Sequence, residues 1–188
     1  SEIVVAYQFI EDHLGAAGSW DLLVPAPPGL DEEYVSRVRR LQERLRELRI
    51  PAELEQESPL ALTSVVSLVD GLDAWQQQPF GNVLSLELNA RVMQLAMPGF
   101  VKTVRGKDPQ EPDGHYLRIM LRSREKQPAE VKTWLIAEVE RICHQEFPAE
   151  TKNARKVEVT GFFVLLTNLI KSLVRDQWTC FIVASVGI

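Results

Sequence analysis

Apolar residues recur along this chain with two different periods, and the alternation between them lays out its elements. In residues 1–14, Ile3, Tyr7, Ile10 and Leu14 share one helical face, and Gly15 and Gly18 follow where a helix would stop. Residues 20–24 (WDLLV) read as a short strand, stopped by Pro25, Pro27 and Pro28. Asp31, Glu32 and Glu33 then open a helix, with carboxylates at its positive end. Tyr34, Val38, Leu41, Leu45 and Leu48, spaced by four and three, form its apolar stripe, and Pro51 ends it.

Residues 63–68 (TSVVSL) are the second strand candidate. A short helix over 69–77 and a longer one over 82–97 follow, the second carrying Leu84, Leu88, Val92 and Leu95 on one face. The polar run 106–114 (GKDPQEPDG) reads as a loop. Residues 115–122 alternate most cleanly, with Leu117, Ile119 and Leu121 to one side and Tyr116, Arg118, Met120 and Arg122 to the other. Pro128 suits a first helical position, and Val131, Leu135, Val139 and Ile142 carry a helix to about Glu146. Lys156-Val157-Glu158-Val159-Thr160 alternates again and closes on Gly161.

With its insertion removed, the order is strand–helix–strand–strand–helix–strand. That order predicts an α+β chain of the ferredoxin-like βαββαβ kind, an antiparallel sheet with both helices on one face. A helical insert at about 69–105 falls between the second and third strands. Residues 1–18 then form an N-terminal helix, 19–160 the α+β domain and 161–188 a C-terminal helix.

Length and composition narrow the function classes. The 188 residues suit one compact unit, and 26 Asp+Glu against 21 Lys+Arg (net charge −5) argue against a nucleic-acid partner. Two cysteines exclude a multi-bridge scaffold or a Cys-rich zinc module. Arg37, Arg39, Arg40, Arg44, Arg46 and Arg49 crowd the second helix, but Glu43 and Glu47 lie among them, so a solvated face is expected.

Glu140, Cys143 and His144 are close in sequence, yet adjacent helical residues point different ways, so no metal site is assigned. Cys143 is expected to face the core beside Ile142. No GxSxG, Gly-rich phosphate loop or HExxH is present, and Asp70 and Asp73 read as helix-end charges, so neither catalysis nor a cofactor is expected. Trp75, Phe80, Met93, Met97 and Phe100 concentrate in the insert. They form either the packing of the insert onto the sheet or the wall of a groove for a hydrophobic ligand, since Met and aromatic residues make adaptable apolar surface.

From Gly161 the chain reads GFFVLLTNLIKSLVRDQWTCFIVASVGI, and only Lys171, Arg175 and Asp176 are charged. The part after Asp176 is shorter than the ~20 apolar residues a bilayer span needs. It nevertheless starts as a membrane helix starts, with charges, then Trp178, then residues apolar on every side. A buried C-terminal helix is the other reading of the same pattern. The first helix is likewise either an ordinary opening element or the stub of something longer, and the start shows no secretory signal. The absent initial Met and the uncharged final run lead us to expect a domain bounded on both sides by membrane.

The order of elements resembles the first large extracytoplasmic loop of RND-superfamily exporters of the MMPL type. The resemblance covers nearly the whole chain: a helix, a strand, the DEEYVSRVRRLQERL helix, SVVSLVDGL, a helical insert, YLRIMLRS, a helix, and VEVTGFFVLLTNLIKSLVRDQW running into TCFIVASVGI. It implies one porter-like subdomain in the inner (cytoplasmic) membrane's extracytoplasmic or periplasmic space, part of a proton-driven transporter of hydrophobic or lipid-like molecules. Its partners would be the second periplasmic loop and membrane helices of the same transporter, in an oligomer. The family's proton-relay carboxylates lie in membrane helices, so none is carried over. Gly161, at the strand-to-helix junction, would be a hinge point. The alternatives are a soluble ferredoxin-like ligand-binding or interaction module, whose last helix packs on the sheet, and a protein-translocation accessory domain of the SecDF type, which would bind unfolded peptide.

Overall fold

A computed structural model describes residues 18–54, 59–78, 83–107, 114–124, 127–148 and 156–186. The helix expected over residues 1–14, Phe80, and the loop residues 108–113 lie outside these described residues. The described residues form five strands: β1 (Gly18–Ala26), β2 (Ser64–Val66), β3 (Arg105–Lys107), β4 (His115–Ser123) and β5 (Glu158–Thr160). The helices are α1 (Glu32–Arg46), α2 (Leu68–Gln76), α3 (Leu86–Ala96), α4 (Pro98–Val104), α5 (Ala129–Glu146) and α6 (Phe162–Val186).

The strands form one antiparallel sheet in the order β2–β4–β1–β5, with β3 also on β4. This α+β arrangement is compatible with the ferredoxin-like unit in general terms. Period-two patterning sets the register. Trp20 lies opposite Leu121, Leu22 opposite Ile119 and Val24 opposite Leu117, so all six point to the same buried face. Val38, Leu41 and Leu45 of α1 and Leu135, Val139 and Ile142 of α5 join them in one core. On the other face Arg118 reaches diagonally to Asp21 at 2.8 Å.

β1 runs through Pro25 to Ala26, past the expected proline stop. β5 pairs only with Asp21 to Leu23, so beyond Leu23 that side of β1 is an open edge, where a residue without an N–H costs no ladder bond.

β2 is shorter than the expected 63–68 strand because Ser67 begins a helix. Its Oγ accepts from the Val69 N–H (3.0 Å), and Asp70 Oδ2 accepts from the Ser67 N–H (2.7 Å), a capping box. α1 grips the same box from outside. Ser67 Oγ donates to Gln42 Oε1 at 3.0 Å, Gln42 Nε2 donates to Asp70 Oδ2 at 2.6 Å, and Arg46 pairs with Asp70 Oδ1 at 2.5 Å.

The arginines of α1 are therefore not the purely solvated face that their sequence suggests. Arg39 holds Asp73 through both of its carboxylate oxygens, and Arg44 reaches Glu146 and Gln145 of α5 at 2.7 Å each. A charge run reads as solvated when its partners come from elements distant in sequence, and here they do.

β3 falls where the polar loop was expected. Its residues carry no apolar alternation; only backbone pairing to Leu117, Tyr116 and His115 makes it a strand. β2 pairs with the other end of β4, from Arg122 to Met120. The two short strands thus run in the same direction along one edge of β4. The α2–α4 insert loops out between them and returns to the line that it left.

Candidate functional site

The insert leaves the sheet through the Ser67 capping box and packs its three helices against one another. Gly71 on α2 is where they meet: a Cβ there would lie 2.9 Å from the Phe100 ring and 3.2 Å from the Met93 sulfur. Glycine at this position lets α3 and α4 press directly on the α2 backbone. Met93 is accordingly buried and Phe100 half-buried. Of the five candidate groove residues, this contact brings those two together as packing. Trp75 is half-buried, with an indole N–H that finds no acceptor among the described residues, and Met97 is exposed.

α3 differs from its sequence reading in two ways. It starts at Leu86, behind Ser85, whose Oγ accepts from the Leu88 N–H at 3.4 Å. Its buried line is Asn89 and Met93, whereas Leu88 and Leu95, expected on the packed face, are 44% and 84% exposed. α3 has apolar residues on two faces, and periodicity cannot say which face meets the core. The Leu88–Leu95 face remains uncovered.

Beside that face two adjoining clefts open, of about 710 and 280 Å3, which share Pro28, Arg91, Gln94, Val101 and Arg105. α3, α4, β3, the start of β4 and the loop between β1 and α1 form their walls. Arg105 ties this loop down: its Nη2 donates to the carbonyls of Pro27 (3.2 Å) and Pro28 (2.5 Å). The Arg105 Nε–H is buried and without an acceptor among the described residues. Close by, the Tyr34 phenol is pushed well above its usual range by burial, against the opposing pull of Arg105 and Arg37. The larger cleft also carries Arg91, Lys102, Lys107 and His115, and no carboxylate among its described walls. Sequence reading missed this cluster, because Arg91, Lys102, Arg105, Lys107 and His115 are scattered over 25 positions and come together only when β3 pairs with β4.

Gly161 sits between β5 and α6 with φ +118°, in the left-handed region. A Cβ there would come within 2.9 Å of the Trp20 Cα, so the turn needs glycine both for its angle and for its closeness to β1. Beyond it, Val164 and Thr167 of α6 are buried. The described side chains from 172 to 185 are all exposed, among them Leu173, Val174, Trp178, Phe181, Ile182 and Val183. Among the described residues no helix is long and apolar enough to cross a membrane.

Glu140, Cys143 and His144 do not converge, and no group of His, Cys, Asp and Glu among the described residues is arranged to hold a metal ion. Cys143 lies in the core as expected; burial pushes its thiol up to about 12, which leaves it protonated and unreactive near neutrality. Cys180 is an exposed free thiol on α6. Asp70 and Asp73 are both occupied by arginines of α1. Comparison with family models, with curated proteins and with solved structures finds no match to this chain.

Proposed function

We propose that the chain is a porter-like extracytoplasmic domain of a proton-driven RND/MMPL-type exporter of the inner membrane, which moves hydrophobic or lipid-like molecules. The observation that carries this reading is α6. Its first turns pack on β1, β5 and α5, and the rest runs on as a helix with apolar residues exposed on every side. A helix surface of that kind suits a partner that the described residues do not supply, and the start Arg175-Asp176, then Trp178, then an apolar run is the chemistry of a membrane interface. In this reading 161–188 is the connecting helix and the beginning of a span. Gly161 is the point about which domain and membrane helix change their angle. The domain works against the second periplasmic loop of the same transporter, within an oligomer.

A second reading follows from the lack of a spanning helix among the described residues: a soluble ligand-binding or interaction module whose α6 lies on a partner protein. The two readings differ at Cys180. If α6 enters lipid, phospholipid vesicles should slow the labelling of Cys180 by a polar maleimide at least ~10-fold, and the chain should sediment with them. Cys143, buried in the core, serves as the silent internal control. An unchanged Cys180 rate, with the chain monodisperse and free of the vesicles, overturns the exporter reading.

A further inference from the structure

The geometry points to the twin cleft as a binding site for an anionic amphiphile: one alkyl or acyl chain carrying a phosphate or carboxylate head. This rests on the reading of the chain as a handler of lipid-like molecules and names the class of that molecule. The first argument is charge. The chain as a whole is acidic (net −5), yet the described walls of the larger cleft hold Arg91, Lys102, Arg105, Lys107 and His115 and no carboxylate.

On α1, β4 and α5 many cations are paired: Arg39, Arg44, Arg46, Arg118 and Arg141 each hold a carboxylate. Arg91, Lys102 and Lys107 hold none among the described residues. Asp108, Glu111 and Asp113, which follow Lys107 in sequence, lie outside those residues. Arg105 adds a guanidinium already oriented by two backbone carbonyls, with one buried N–H that has no acceptor among the described residues. Such a fork suits a planar carboxylate or a phosphate.

The second argument is polarity along the cleft. The smaller space is lined by Leu30, Leu68, Ala90 and Met93, and its charged wall includes Glu87, which repels an anionic head. Both spaces share Arg91 and Arg105; the larger adds Lys102 and Lys107, with Leu95 and Pro98 beside them. A ligand is thus oriented, its chain running toward Met93 and its head held between α4 and β3. A volume of about 710 Å3 falls within the usual ~300–1,000 Å3 of small-molecule sites. Leu95, 84% exposed, gives the chain an apolar approach from outside.

The test is equilibrium binding of dodecyl phosphate to the purified 188-residue chain, below the micelle threshold, beside dodecyl maltoside (same chain, neutral head) and inorganic phosphate (head alone). Dodecyl phosphate should bind at least ~10-fold more tightly than the maltoside, because each exposed charge adds a modest pair energy and three act together. Inorganic phosphate should be weaker by more than ~100-fold, since burying even four methylenes is worth that much.

The variant R91Q/K102Q/K107Q changes only exposed side chains. It should unfold at the same temperature, lose about ten-fold in dodecyl phosphate affinity and keep its maltoside affinity. Equal affinity for the two detergents, or an unaltered triple variant, overturns the site. Inorganic phosphate binding as tightly as dodecyl phosphate leaves an anion site without a chain path and overturns the amphiphile. Either failure is independent of Cys180 labelling, which reads the far end of α6.

Discussion

The sheet with α1 and α5, and the insert α2–α4, use apolar residues in opposite ways. In the first, alternate positions along the middle of the two long strands are buried together with the helix stripes that meet them: Trp20, Leu22, Val24, Leu117, Ile119, Leu121, Val38, Leu41, Leu135 and Val139 all lie in one core. In the insert Leu68, Val69, Leu72, Met93 and Val104 reach that core, while Leu88, Leu95 and Met97 stay outside. The first region is held by its own geometry. The second is clamped at its two ends, by the Ser67–Asp70–Gln42–Arg46 network and by β3 on β4, and is free to present surface between them. Apolar residues that do not stabilise their own domain are available to bind something else.

The sharpest way to probe this contrast is to remove apolar volume from the first region. Leu22→Ala, at the centre of the sheet and fully buried, should cost about 3 kcal/mol or more in urea unfolding, because the sheet and α1 cannot both collapse onto the cavity. A loss below about 1 kcal/mol would mean that this core is no more committed than the insert.

Gly161 comes next. Gly161→Ala places a Cβ in a left-handed conformation and against the Trp20 backbone, and should destabilise by about 2 kcal/mol. Gly29→Ala, where nothing lies within 4 Å of the new methyl, is the control and should be close to neutral. Equal effects at both positions would remove the special geometry from the β5–α6 junction, and with it the structural basis for a hinge there.

The region that sequence patterning describes well is the one that obeys a single period. Leu117, Ile119 and Leu121 alternate strictly, and β4 stands where that alternation ends. Val38, Leu41 and Leu45 leave one choice of helix face, and that face is the buried one. The insert was legible as helical but not as packed, because α3 carries two apolar faces of similar strength, and what decides between them is Gly71, on another helix. β3 was invisible for a related reason: its pairing is made by backbone groups that every sequence has.

The basic cleft could not be read at all. Arg91, Lys102, Arg105, Lys107 and His115 show no motif spacing, and only the return of the insert along β4 gathers them. The capping box is a halfway case. Ser67-x-x-Asp70 has capping spacing in the sequence, yet the expected strand runs across it to Leu68, because TSVVSL is also rich in strand-forming residues.

The smallest expected effect is also the one that separates the two regions most cleanly. Leu88→Glu with Leu95→Glu puts two charges on the uncovered face of α3. If that face is surface, the pair should change unfolding free energy by no more than about 0.5 kcal/mol, since neither side chain gives up packing. The Leu95 change should at the same time weaken dodecyl phosphate at the cleft that Leu95 lines, both by losing apolar area and by adding an anion beside Lys102. Stability kept and ligand lost is the pattern of a binding surface. Stability lost by 2 kcal/mol or so would instead place Leu88 and Leu95 in a packed face, and the insert would then be a second core, built on the same terms as the first.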